Sequence, residues 1–216
     1  LRRQRQMCIR DSHSGKLSAK TELFPSAADK NYVKAWLKQN NLQDKSFICI
    51  GASASFPLKC WPIQNFKQLI ERIIQSVTSV VLVGASGEIE TEELVEHFKG
   101  SQNVFSAAGI FTILQSAALL EMANAVVAND TSIVHLAEAM RTSSIALFGP
   151  TVKEFGYAPM LEQSRLIETD LALRCRPCSR TGKGTCKNRD QQICMYSIST
   201  QKVCDAAQLL LPKGRA

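Results

Sequence analysis

No stretch of this sequence runs apolar for the ~20 residues that a membrane span requires. The most apolar segment, residues 110–128, is interrupted by Gln115, Glu121 and Asn124. The basic start is not followed by an apolar run, so no secretion signal is read there. A P-loop and a Gly-x-Gly-x-x-Gly fingerprint are both missing. No Asp-x-Asp metal motif sits at the end of a strand-like run. Excess charge is modest: 26 basic and 19 acidic residues give +7. Setting aside the first eleven residues leaves 22 basic and 18 acidic, a net +4. That excess is too small and dispersed to argue for nucleic acid. It suits an anionic ligand or an anionic membrane surface.

Eight cysteines are present, and without a secretion signal they are expected to be reduced rather than to form a disulfide framework. Cys49 lies inside an apolar run, where a small buried thiol is ordinary. Residues 1–12, rich in arginine, fit no helix or strand pattern and read as a non-native or disordered tail. Residues 13–45 read as an inter-domain linker with a helix over 27–39, whose apolar side carries Tyr32, Val33, Trp36 and Leu37.

From residue 46 to about 170, short β-branched runs alternate with helical stretches. Strands are expected at 47–50, 80–83, 104–105, 125–128, 144–148 and, weakly, 164–168. Helices are expected at 64–75, 88–98, 111–122 and 131–140. Val80-Val81-Leu82-Val83 is apolar throughout, as in a strand buried on both faces of a parallel sheet. The alternation predicts an α/β fold, a Rossmann-like doubly wound parallel sheet with right-handed crossovers. A cysteine-containing loop comes next, over 171–198, then a C-terminal helix and tail over 199–216.

In such sheets, ligands bind outside the carboxyl ends of the strands. Three of these ends are rich in small and polar residues. After Ile50, the loop carries Ser53, Ser55 and Lys59 before Trp61-Pro62. Its small residues allow close backbone approach, and Lys59 supplies a cation for phosphate oxygens. A solvated lysine on an ordinary loop would leave the same residues. After Val83, Glu88 could accept hydrogen bonds from ribose hydroxyls, or simply favour a helix N-terminus. The third end, Asn129-Asp130-Thr131-Ser132-Ile133-Val134-His135, is the most informative. Capping residues open a helix whose free amides and dipole attract an anion. His135 is i+4 from Thr131 and i+3 from Ser132, so the three share a face. Asp130 could be the helix cap alone. Gly149-Pro150 then makes a tight turn that either walls this site or merely ends a strand.

Together these segments resemble glycosyltransferase family 9, the ADP-heptose:lipopolysaccharide heptosyltransferases. Lys59-Cys60-Trp61-Pro62 looks like the family's lysine-x-tryptophan-proline segment. Asp130 to Ala137 looks like its Asp-Ser/Thr-Gly-x-x-His-Leu-Ala signature, and Phe148-Gly149-Pro150-Thr151 matches its Phe-Gly-Pro-Thr. Ser132 stands where the family usually has glycine. Cys175-Arg176-Pro177-Cys178, Cys186 and Cys194-Met195 look like the cysteine segment that many members carry. The resemblance implies the C-terminal nucleotide-binding domain of a two-domain GT-B glycosyltransferase. It implies an inverting transfer of heptose from ADP-heptose to the lipid A–core acceptor. Lys59, Ser53 or Ser55, and Thr131 with Ser132 would hold the donor diphosphate, with Glu88 near the ribose, and Asp130 and His135 would belong to the same donor-nucleotide-binding set. The base, an aspartate in the family, belongs to the N-terminal domain, so no catalytic residue is assigned within this chain and it is expected to be inactive alone. The resemblance also implies a cytoplasmic location, with peripheral contact at the inner membrane.

No cofactor is required for such a reaction. A Cys-x₂-Cys pair with two further cysteines at wider spacing permits a structural zinc on Cys175, Cys178, Cys186 and Cys194. A reduced loop held by packing would leave the same pattern. Two other functions compete: another GT-B enzyme, such as a sugar-nucleotide epimerase, and a zinc-stabilised basic module on nucleic acid. Arg174, Arg176, Arg180, Lys183, Lys187 and Arg189 around the cysteines motivate the second.

Overall fold

The computed structural model describes residues 21–76 and 78–211. The basic tail at 1–12, the first part of the linker segment and the last five residues lie outside them. The first element of the described residues is helix α1 (Ala27–Gln39), opened by a reciprocal cap between Ser26 and Asp29. The Ser26 hydroxyl and amide hold the Asp29 carboxyl below its ordinary range.

Six strands come after it: β1 (Phe47–Gly51), β2 (Ser79–Leu82), β3 (Val104–Ser106), β4 (Ala125–Asn129), β5 (Ser144–Phe148) and β6 (Arg165–Glu168). Between them run α2 (Ile63–Gln75), α3 (Ile89–His97), α4 (Ile113–Met122) and α5 (Ser132–Ala139). Two further helices follow: α6 (Ile193–Tyr196) and α7 (Thr200–Leu210). All strands pair in parallel, in the order β3-β2-β1-β4-β5-β6. The doubly wound α/β fold expected from the sequence is therefore present. The order reverses between β1 and β4, where strands run outward to both edges. Ligand sites of such sheets lie at that reversal.

Strand side chains alternate strictly between two cores. Ile48, Ile50, Val80, Leu82 and Val127 face a core closed by α2 and α7. Phe47, Cys49, Val81, Val126 and Ala128 face a core closed by α1, α4 and α5. Both faces being covered explains why the strands read as unbroken apolar runs. Helix α1 contributes Val33 and Leu37 to the second core, and Trp36 meets Phe111 edge-on at 5.4 Å. Helix α7 returns to the first core through Val203, Cys204 and Ala207. No helix among the described residues is long and apolar enough to cross a membrane.

One buried carboxylate anchors the edge near β6. Glu138 of α5, 6% exposed, accepts hydrogen bonds from the amides of Met160 (2.7 Å) and Leu161 (3.0 Å) and from the Ser164 hydroxyl (2.9 Å). Ser164 in turn accepts from the Ser144 amide at the start of β5. Glu138→Ala orphans two amides and a hydroxyl, so a loss of about 3 kcal/mol in unfolding free energy is expected by denaturant titration. Glu138→Gln should lose less, because one acceptor oxygen survives.

Candidate functional site

The site forms where the ends of β1, β4 and β5 meet. Asn129, the last residue of β4 and fully buried, ties two of these ends together. Its Nδ2 donates to the Ala52 carbonyl (2.5 Å), and its Oδ1 accepts from the Trp61 amide (3.0 Å). Residues 52–61 are thus pinned against β4, and a 3₁₀ turn over Pro57–Lys59 presents Lys59 to the start of α5.

There, Lys59 Nζ lies 2.7 Å from Asp130 Oδ2 and 3.2 Å from the Asp130 carbonyl. The Thr151 hydroxyl donates to the same Asp130 oxygen at 2.7 Å. Asp130 is therefore not the helix cap; its carboxylate bridges Lys59 to the turn after β5. The capping position belongs to Thr131, in extended backbone. The Thr131 side chain makes no capping bond, and its buried Oγ1 has no hydrogen-bond partner. Buried hydroxyls in native folds are nearly always satisfied. An orphan beside the unspent amides of a helix N-terminus marks a place for an acceptor-rich ligand.

A cleft of about 310 Å³ opens over this point. Six of the eight anticipated residues border it: Ser55, Lys59, Asp130, Thr131, Ser132 and His135. The His135 ring lies 6.2 Å from the Tyr157 ring, at the cleft wall. Two anticipated residues stand elsewhere. Ser53 is buried, with its hydroxyl 3.0 Å from that of Thr91. Glu88 caps α3 at the neighbouring strand end, and its carboxylate accepts from Thr91 at 3.5 Å. Neither borders the cleft.

Four residues that no sequence signal singled out as site residues also line it: Phe56, Tyr157, Arg180 and Thr181. The last two come from the cysteine segment, which docks on the turn after β5. Arg176 Nε donates to the Gly149 carbonyl (2.5 Å), and its Nη2 donates to the Thr151 carbonyl (2.9 Å) and pairs with Glu168. The Cys178 amide donates to the Pro150 carbonyl (3.1 Å). Gly149 is required here, because a Cβ would collide with Met195 Sδ. The Gly149-Pro150 turn is thus a dock for residues 176–195 as well as a buttress for Asp130.

Burial, then neighbouring thiols, raises the Cys178 and Cys194 thiols, Cys194 to about 11. Cys60 is pushed up to about 12 by burial and by Glu90, and burial alone raises Cys49 further. These four stay protonated at neutral pH and are poor nucleophiles. Cys175 accepts from Asn188 Nδ2 at 3.5 Å, and Cys186 accepts from the Gln192 amide at 3.1 Å. Even so, among the described residues no group of three or more His, Cys, Asp or Glu side chains is arranged to hold a metal ion. The basic cluster is also split: Arg176 is bonded to the turn after β5 and Arg180 borders the cleft, while Arg174, Lys183, Lys187 and Arg189 do not border it.

Comparison with known proteins agrees with this geometry. The family model for glycosyltransferase family 9 (heptosyltransferase) matches residues 13–186. The chain is similar to lipopolysaccharide heptosyltransferase 2 of Escherichia coli (strain K12), 26% identical over 149 residues, covering 68% of this chain and 42% of that protein. It therefore spans less than half of that relative. Two solved structures share the fold. The family 9 glycosyl transferase from Veillonella parvula DSM 2008 superposes with a TM-score of 0.77 at 18% identity, over 94% of this chain and 57% of that one. The E. coli ADP-heptose lps heptosyltransferase II gives 0.69 at 23% identity, over 93% and 56%.

Proposed function

Because the chain belongs to glycosyltransferase family 9, we propose that it is the donor-binding part of an enzyme moving heptose from ADP-heptose to the lipopolysaccharide inner core. One observation carries the reading. Lys59, the orphan hydroxyl of Thr131 and the first turn of α5 converge on one cleft at the sheet's reversal point. A diphosphate there would accept from the helix amides and from Thr131 Oγ1. Lys59 carries three N–H donors, and Asp130 takes two, which leaves one for a phosphate oxygen. As the glycosidic bond to the donor breaks, negative charge grows on the leaving diphosphate. Groups already aimed at it lower the barrier without reorganising. The acceptor hydroxyl gives its proton to a base, which this reading places in an N-terminal domain outside the chain. The lipid A–core acceptor, a cytoplasmic location and peripheral contact with the inner membrane belong to the same proposal.

Titration of the chain with ADP tests the reading. Saturable one-to-one binding, weakening as salt rises, is expected. Failure to bind ADP, together with steeply salt-dependent binding to duplex DNA, would overturn it in favour of a nucleic-acid module. Structural zinc on Cys175, Cys178, Cys186 and Cys194 remains part of the proposal. Metal analysis of the purified chain decides it.

A further inference from the structure

The charge of the cleft does not come from where the motif residues suggest. The Lys59 ammonium is already balanced by Asp130 at 2.7 Å. That leaves the cleft's Lys–Asp pair near neutral, a weak attractor for a dianion. Arg180 borders the same cleft, and among the described residues it makes no hydrogen bond or ion pair.

Its position is held from both sides. Upstream, Arg176 and Cys178 are fastened to the carbonyls of Gly149, Pro150 and Thr151. Downstream, the Gly182 amide donates to Ser179 Oγ at 2.7 Å, which folds residues 179–182 into a tight turn. Gly182 has a φ of +81°, and a Cβ on it would lie 2.7 Å from Lys59 Cγ and 2.9 Å from Lys59 Cε. Backbone without a side chain therefore lies directly on the lysine stem. The turn between these anchors brings Arg180 to the same cleft that Thr131, Ser132 and His135 border.

We propose that Arg180 is a specificity-determining residue that grips the second phosphate of a nucleoside diphosphate, so that the cleft prefers a diphosphate to a monophosphate. This rests on the donor reading above. The first phosphate sits on the α5 amides, Thr131 and Lys59. The second meets a planar guanidinium, whose paired N–H groups match two phosphate oxygens. The cysteine segment is then a wall of the donor site and not a separate module.

Calorimetric titration of the full chain with ADP and with AMP tests this, using wild type, Arg180→Gln, Arg180→Lys and Lys59→Gln. Arg180→Gln should weaken ADP about tenfold and AMP by about twofold at most. Arg180→Lys should recover part of the ADP loss, and Tm should not change in either variant. Equal losses for ADP and AMP, unchanged ADP affinity, or a clear fall in Tm would each overturn the proposal. If Lys59→Gln weakens ADP while Arg180→Gln does not, the donor reading stands and this inference fails. If the wild-type chain binds neither nucleotide, both fall.

Discussion

Lys59→Ala is expected to weaken ADP binding by about a hundredfold or more, well beyond what one lost phosphate contact would give. The reason is the partner it leaves behind. The Lys59 and Asp130 side chains are only 14% and 6% exposed. With the lysine gone, the Asp130 carboxylate keeps its bond from Thr151 but loses its counter-charge, directly beside the expected diphosphate. The substitution therefore removes an attraction and uncovers a repulsion. This makes a second, sharper expectation. Adding Asp130→Asn to Lys59→Ala should restore part of the lost affinity, because the uncovered charge disappears. Titration of both variants with ADP measures the coupling. A single variant within about twofold of wild type would contradict the phosphate role of Lys59. A double variant weaker than the single would contradict the repulsion argument.

The sheet was legible because its strands are buried on both faces. Val80 to Leu82 and Ala125 to Ala128 carry no polar residue to confuse the period, and the helices between them show apolar residues at helical spacing. Boundaries moved by a residue or two where local chemistry decided them. Glu88 became the cap of α3 and not its first residue, and Thr131 the cap of α5. Helix α6 carried no such signal: it has only four residues and comes after a loop of cysteines and glycines.

The site was legible where its residues are neighbours in sequence and opaque where the fold brings distant ones together. Thr131, Ser132 and His135 share a helix face by spacing alone. Arg180 and Tyr157 reach the same cleft from loops about 50 and 26 residues further on, and no periodicity points there. Ser53 shows the converse limit. Its neighbourhood of small residues suits phosphate binding, yet its side chain turns toward Thr91 while Ser55 faces the cleft. Asp130 was ambiguous because a cap and an ion-pair partner have the same side chain. Only the 2.7 Å approach of Lys59, 71 residues away, separates the two.

Trp61→Ala is expected to be among the most damaging single changes to stability, at about 3–5 kcal/mol. Trp61 is 1% exposed and meets Phe66 of α2 edge-on at 5.0 Å. Its indole Nε1 donates to the Ile198 carbonyl (3.0 Å), between α6 and α7. Truncation thus leaves a cavity and an unpaired buried carbonyl, which adds to the transfer cost. For a chain of this size, the corresponding fall in Tm is on the order of 10 °C. Trp61→Phe separates the two contributions, since it keeps most of the ring volume and deletes only the donor. It should lose about 1–2 kcal/mol. The functional consequence is the more telling one. Trp61 sits two residues from Lys59 and joins the anion loop to the end of the cysteine segment that carries Arg180. Trp61→Phe should therefore weaken ADP binding modestly even at temperatures where the variant is fully folded. Unchanged ADP affinity in folded Trp61→Phe would show that the two walls of the cleft are positioned independently of each other.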